Sequence, residues 1–255
     1  MVQVMARGNK QTKTKKAFTR IIKRLFEQFG LDIVRLSRKP TRSLLGLRDF
    51  DIKTIIDVGA NRGQFARMLL NVFPEAHIYC FEPLPELFRQ LSRWSEEQRN
   101  GKVTVYNLAL GNKEGFLRMF RHIEHNSSSS FLKTTKLCES LYPFSQKQDS
   151  ITVKLTTLDN WLKSLPSPPM PKILLKVDVQ GYEDKVVQGG RETFSKAEAC
   201  ILEVSLDKLY EDQATFRDIS LLLYDLGYHY VGNLDQSYAD DGHVIFIDAV
   251  FVKHQ

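Results

Sequence analysis

The sequence predicts an α/β fold: a mostly parallel sheet with helices on both faces, closed by an antiparallel hairpin. Three observations carry that expectation. Short apolar runs alternate with longer segments of helical spacing, the pattern of strands joined by helical crossovers. The first run, Thr54–Val58, enters a glycine-containing turn that opens a helix. Charges inside otherwise apolar strands fall near their carboxyl ends, where open α/β sheets bind ligands.

At 255 residues and 42% hydrophobic composition, the chain suits one large domain with a tail and is not a mostly disordered polymer. The formal charge of +6 is unevenly placed. Residues 1–48 hold 13 of the 36 Lys/Arg and two of the 30 Asp/Glu, so they carry +11 and leave the remaining 207 residues at −5. We therefore expect a basic N-terminal segment, 1–48, and an acidic domain, 49–255. Cys80, Cys138 and Cys200 lie far apart with no CxxC pair, which suggests neither a disulfide framework nor a zinc site. Neither a membrane-spanning apolar run nor a secretory pattern is present, and the expected compartment is the cytoplasm.

Residues 1–16 are polar and Lys-rich. From Ala17, the apolar residues Phe18, Ile21, Ile22, Leu25, Phe26 and Phe29 recur at three- and four-residue spacing, with Arg20, Lys23 and Arg24 between them. This predicts an amphipathic helix over 17–29, ended by Gly30. It either packs on the domain or meets an anionic surface, such as a membrane, peripherally.

The alternation that follows predicts strands at Thr54–Val58, His77–Phe81 and 103–108, with helices at Gln64–Val72 and 85–94. The rhythm then breaks over about 112–156. Strands at 116–121 and 151–155 there flank the Ser-rich run His125-Asn126-Ser127-Ser128-Ser129-Ser130, which reads as an insertion with an antiparallel pair and a loop. Helix 158–165, a Pro-rich linker, strand 173–179, helix 182–188, strand 199–204 and helix 216–226 resume the pattern. Segments 228–232 and 244–252 form the closing hairpin.

The turn Asp57-Val58-Gly59-Ala60-Asn61-Arg62-Gly63-Gln64 is the most informative segment. Glycines let a ligand approach the backbone, and the helix start offers free N–H groups. A dinucleotide fold would place G-x-G-x-x-G here, but counted from Gly59 the second and third glycine positions hold Asn61 and Gln64. Asp57 suits an ammonium or sulfonium group and repels phosphate. The chemistry points to S-adenosylmethionine rather than NAD. Glu82, at the end of the second strand in F-E-P, suits two ribose hydroxyls, and the small residues around Ala109 in N-L-A-L-G leave room for adenine. In Leu174-Leu175-Lys176-Val177-Asp178, alternation puts Lys176 and Asp178 on one face, where burial is costly unless they pair or function. Glu203 brings another carboxylate to the same edge.

Together, D-V-G-A-N-x-G, F-E-P, N-x-A-L-G, the Ser-rich loop, T-L-D-x-W and L-K-V-D-V-Q-G-Y-E resemble the FkbM-type methyltransferase family over about residues 53–252. The resemblance implies a Rossmann-like class I methyltransferase fold and S-adenosylmethionine as cofactor. It also implies O-methylation of a hydroxyl on a saccharide, glycan or lipid-linked or natural-product acceptor. By that similarity, Asp57, Gly59, Ala60, Asn61 and Gly63 match the cofactor loop, Glu82 would bind ribose, and Asp178 would lie near the transferred methyl. Candidates for the catalytic base are Asp178, Glu203 and His125; a magnesium ion shared by Asp178 and Glu203 is an alternative to a base. Two other functions compete. A nucleic-acid methyltransferase would want a basic groove and an N/D-P-P-Y/F turn, which Asp178-Val179-Gln180-Gly181 lacks, and an NAD-dependent oxidoreductase fails on the glycine register. Deleting residues 1–30 is expected to leave a folded, ligand-binding body, checked by circular dichroism and calorimetry. Loss of folding would establish the packed helix, whereas loss of anionic-liposome binding alone would establish the surface anchor.

Overall fold

The structure is a computed structural model that describes residues 22–30, 43–98, 101–123 and 128–253. It contains two compact units, Met1–Ser43 and Leu44–Gln255. In the first, residues 22–27 are helical and Gly30 closes the segment at φ 70°, with Leu25, Phe26 and Phe29 exposed. The rest of the expected helix, 17–21, lies outside the described residues. None of the described helices is long and apolar enough to cross a membrane.

The second unit is built on a seven-stranded sheet in the order β3-β2-β1-β7-β8-β10-β9. Its strands are β1 (Thr54–Val58), β2 (His77–Phe81), β3 (Val103–Tyr106), β7 (Ile173–Val177), β8 (Ala197–Ser205), β9 (Tyr228–Tyr238) and β10 (Val244–Lys253). Strands β3, β2, β1, β7 and β8 run parallel, while β10 lies antiparallel to both β8 and β9. This is the expected mostly parallel sheet with its closing hairpin. Every residue of β1 and β7 is buried, as central parallel strands covered on both faces require. The two-residue period sends Ile56, Phe81 and Leu175 into one core and Ile55, Ile78 and Leu174 into the other.

Helices α1 (Gln64–Val72), α2 (Pro85–Glu97), α4 (Leu158–Ser164), α5 (Glu183–Gly189) and α7 (Phe216–Tyr224) cover those faces, with α3 (Lys136–Leu141) and α6 (Arg191–Lys196) as short additions. Their starts follow local chemistry. Thr157 caps α4 by accepting the Asn160 N–H at 3.1 Å, and Thr215 and Asp218 cap α7 reciprocally. On α2, Leu87, Leu91 and Trp94 form the buried stripe.

A second sheet, ordered β4-β6-β5, comprises β4 (Ala109–Gly111), β5 (Gly115–His122) and β6 (Gln148–Thr157). The expected antiparallel pair is β5 with β6. The single expected strand 103–108 is instead cut at Tyr106. There the Asn107 side-chain amide donates to the carbonyls of Glu82 and Pro83, at 2.9 and 3.0 Å, and turns the chain towards the second sheet. Helix α3 inside the insertion and helix α6 were not expected. The latter owes its start to Asp159, whose carboxylate accepts the backbone N–H groups of Glu192 and Thr193 at 3.0 and 2.8 Å. The Asp and Trp of T-L-D-x-W are thus packing residues: Trp161 is buried edge-on to Phe81 at 4.9 Å.

Strand β7 ends at Val177, two residues before the expected limit. The chain turns through Gln180 and Gly181, at φ 57° and 93°. Buried Glu183 stitches this turn: its Oε1 accepts the N–H groups of Val179 and Gly181 at 3.0 and 3.1 Å. Burial pushes Glu183 up from 4.5 to about 7, against the pull of those N–H groups. A carboxyl raised on folding binds its proton more tightly in the native state, so its stabilising contribution is present below 4.5 and lost as pH rises to about 7. Glu183→Gln keeps an acceptor for the turn and removes the titration. Its thermal midpoint is expected to fall less between pH 5 and 8 than that of the wild type. At Gly189 of α5, a Cβ would lie 1.9 Å from the Gly111 carbonyl oxygen. Gly189→Ala is expected to cost about 1–3 kcal/mol in urea unfolding, through the shift of α5 away from β4.

Candidate active site

The carboxyl ends of β1, β2, β7 and β8 open onto a cavity of about 510 Å³, also lined by β10 and by the insertion. On one side lies the loop after β1. Gly59 and Ala60 donate backbone hydrogen bonds to the Phe81 carbonyl at 3.0 and 2.9 Å, locking the loop to β2. Gly59 has φ 79°, and a Cβ there would stand 1.9 Å from the Asp178 carbonyl oxygen, so a side chain is excluded by conformation and by space. Gly63, at φ 80°, faces Leu91 and Trp94 of α2 in the same way. Asn61, at φ 51°, is a left-handed residue of the kind that tolerates this region. Its N–H reaches Glu82 Oε2 at 2.8 Å, while Glu82 Oε1 accepts the Leu84 N–H at 2.8 Å.

Glu82 is almost wholly buried at the cavity wall, and burial pushes it up from 4.5 to about 7 despite those two N–H donors. Each of its oxygens keeps acceptor capacity, so two further donors would offset the cost of its burial. Phe81, Leu84, Leu87, Leu108, Ala109 and Leu110 supply apolar wall beside it.

Asp57 occupies a different place. It sits mid-sheet opposite Lys176, is completely buried, and is not among the residues that line the cavity. Neither of its oxygens closes a hydrogen bond of ordinary length. Burial raises it to about 6, Lys176 pulls it down, Asp178 pushes it up, and the Ala66 N–H gives it weak support.

Lys176 on β7 and Asp178 just beyond its end are joined at 2.7 Å, with the Lys176 ammonium 5.3 Å from the centre of the Phe65 ring. Burial pulls the ammonium down, but Asp178 and Asp57 more than offset this and leave it raised. The second Asp178 oxygen accepts Gln180 Nε2 at 2.8 Å, and the same nitrogen reaches Glu203 Oε1 at 2.5 Å. The amide thus occupies the position between the two carboxylates. Glu203 is pushed well above the ordinary carboxylate range, first by burial and then by Asp178, with Lys176 opposing. Directly across the β8–β10 ladder from it stands Asp248, raised to about 6 by burial and also lining the cavity.

The insertion closes the far side with Ser128, Ser129, Phe131, Tyr142 and Phe144, and the segment after β8 adds Leu209 and Tyr210. Expected candidates Gly59, Ala60, Asn61, Glu82, Ala109, Asp178 and Glu203 all line this cavity, whereas Gly63 shapes the loop from behind. His125 lies outside the described residues. Among the lining residues that escaped the sequence reading are Gln180, Tyr210 and Asp248. Asp248 had a signal, a lone acid inside the apolar run Val244-Ile245-Phe246-Ile247-Asp248-Ala249-Val250; Tyr210 had none. Among the described lining residues, the only cation is Lys176, already paired with Asp178, against the acids Glu82, Asp178, Glu203 and Asp248. That balance suits a cationic ligand and opposes a pyrophosphate or a nucleic-acid backbone.

The Methyltransferase FkbM domain matches residues 57–230, which spans the loop after β1, Glu82, the insertion, Asp178 and Glu203. The 2-O-methyltransferase NoeI of Sinorhizobium fredii is 30% identical over 200 residues, covering 73% of this chain and 79% of that protein. Methyltransferase sdnD of Sordaria araneosa is 27% identical over 187 residues, covering 66% and 67%. A crystal structure of methyltransferase FkbM from Methylobacillus flagellatus superposes with a TM-score of 0.50 at 13% identity. That match covers 79% of this chain and 44% of the crystallised one, and it speaks for the fold alone. The protein is a methyltransferase of the FkbM family.

Proposed function

We propose that this enzyme moves a methyl group from S-adenosylmethionine to a hydroxyl oxygen of a saccharide or related natural-product acceptor. The observation that carries the donor assignment is the cavity wall itself. Glu82 offers spare acceptor capacity just past β2, and three further carboxylates face a space where the one cation among the described residues is already paired. Two ribose hydroxyls fit the first, and a sulfonium and an α-ammonium fit the second. Ala109 and its apolar neighbours accommodate a base, and Gly59, Ala60 and Asn61 offer a close backbone surface. When bound, the cofactor supplies a methyl group activated by its positive sulfur.

The chain's own task is to orient the acceptor, keep water out and take the hydroxyl proton. Glu203 is the proposed base, because it faces the cavity and because burial and Asp178 push its carboxyl well above the ordinary carboxylate range, which strengthens its hold on a proton. Asp178, the best placed group on sequence grounds, has one oxygen on Lys176 and the other on Gln180, so it orients and supplies negative field. The oxygen acceptor is supported by the relative NoeI, a 2-O-methyltransferase, and the saccharide class by the acceptor side of the cavity. There Tyr142 and Phe144 offer ring faces, with centroids 5.7 Å apart, beside the hydroxyl-accepting acids Glu203 and Asp248. We also propose peripheral contact of the basic N-terminal segment with anionic lipid, supported by its +11 charge and by exposed Leu25, Phe26 and Phe29.

Calorimetry is expected to show micromolar binding of S-adenosylmethionine and S-adenosylhomocysteine and none of NADH; tight NADH binding overturns the donor assignment. Ribose hydroxyls donate to ionised Glu82, so affinity should rise as pH climbs towards about 7 and then level off. Glu82→Ala should weaken binding by about 1.5–3 kcal/mol and abolish that rise. With labelled S-adenosylmethionine and a panel of methyl glycosides and oligosaccharides, Glu203→Gln and Asp178→Asn are each expected to lose at least about 100-fold in turnover. Cofactor affinity should change far less. Near-normal turnover in both variants would remove the base from this edge.

A further inference from the structure

Gln180 makes four hydrogen bonds at the sheet edge described above, and it does so from a backbone conformation that a non-glycine residue adopts only when its surroundings dictate it. Its φ is 57°, and Gly181 follows at 93°. Its Nε2 donates to Asp178 Oδ1 at 2.8 Å and to Glu203 Oε1 at 2.5 Å. Its Oε1 accepts the Tyr210 hydroxyl at 2.7 Å, and its backbone carbonyl accepts the Ser130 hydroxyl at 2.6 Å. Tyr210 is 2% exposed, so its hydroxyl needs a buried acceptor. A phenolic O–H directed at the amide oxygen leaves the NH₂ end facing the carboxylates, so Tyr210 fixes which way the amide points.

We propose that Gln180 is a positioning residue, an amide yoke that Tyr210 orients, that holds Glu203 and Asp178 in register and ties both to the serine-rich segment. The physical reason lies in proton accounting. Two acids that meet at a buried edge ordinarily share one proton, because like charges at short range cannot both form. An NH₂ group between them gives each oxygen its own hydrogen, so Glu203 gives up its proton without sharing one with Asp178. Ser130 anchors the other end: its hydroxyl also accepts the Leu132 N–H at 3.0 Å, so the cavity wall at Ser128 and Ser129 is hung from the same residue. The inference rests on the reading that Glu203 and Asp178 act on the acceptor.

The charged and titratable groups around the yoke come from each neighbouring element. They are Lys176 on β7 with Asp178 just beyond it, Glu183 on α5, Glu203 on β8, Asp248 on β10 and Tyr210 after β8. Cys138 of α3 and Tyr142 stand behind Tyr210 and Glu203. Carboxyl ¹³C NMR of the full chain, labelled at aspartate and glutamate, tests the yoke without an acceptor. The Glu203 signal is identified by its absence in Glu203→Gln. Gln180→Leu removes both donors and is expected to move the Glu203 titration upward by about one pH unit, a tenfold change in its proton affinity. Tyr210→Phe keeps the amide but frees its orientation, and should move the same titration in the same direction by less. This second variant keeps the test open if Gln180→Leu fails to fold. In the labelled-methyl assay, the acidic limb of the kcat profile should follow the NMR shift, a readout that mere loosening of the turn would not move.

Unmoved Glu203 titrations in the folded variants overturn the yoke. Failure of the underlying reading looks different. If Glu203→Gln and Asp178→Asn turn over normally while the NMR shifts appear, the yoke stands as a structural device and the base assignment falls.

Discussion

Everything at the active edge depends on two backbones passing in contact where β1 and β7 end. The Asp178 N–H donates to the Val58 carbonyl at 3.0 Å, and the Asp178 carbonyl oxygen lies where a Cβ on residue 59 would sit. Only glycine permits that approach, and only a left-handed φ at Gly59 turns the chain away from the strand at this point. The loop then rests on β2 through the Phe81 carbonyl, and Asn61 is delivered to Glu82. Separating the two backbones by the width of a methyl group would move the loop after β1 away from Glu82 and away from Asp178 and Glu203 together. The FkbM glycine here therefore serves strand-to-strand packing, and the ligand surface is its consequence.

A second constraint is electrostatic. Asp57, Asp178, Glu203 and Asp248 converge on a region whose described cations reduce to Lys176, and burial raises three of the four. An accumulation of this kind is unfavourable in the empty protein, and it is the arrangement a positively charged ligand relieves. The same field that makes the edge expensive to fold suits the proposed sulfonium better than a pyrophosphate. Lys176 keeps the cost bearable by pairing with Asp178 on one side and facing Asp57 on the other. The pairing expected of Lys176 is present, and it leaves the second Asp178 oxygen to Gln180, in keeping with the role proposed for Asp178.

The sequence alone determined the parallel sheet, its hairpin and the strand-end acids and turn glycine at the cavity. These are local consequences: apolar runs of period two bury on both faces, glycine spacing fixes a turn, and a carboxylate ending a strand must lie at the ligand edge. Gly59, Glu82, Asp178 and Glu203 were legible for that reason. The tertiary structure decided what depends on partners distant in the chain. Strand three stops at Tyr106 because Asn107 finds the carbonyls of Glu82 and Pro83, and α6 forms because Asp159 caps it from more than thirty residues away. Asp57, expected at the ligand, lies behind the loop because the β1 register sets it against Lys176. Asp248 reaches the site because antiparallel pairing sets it opposite Glu203, and Gln180 gains its role because Tyr210 and Ser130 converge on it from separate loops. Periodicity and turn chemistry are carried by neighbours in sequence, whereas a hydrogen bond across 23 or 50 residues exists only once the sheet has brought its ends together.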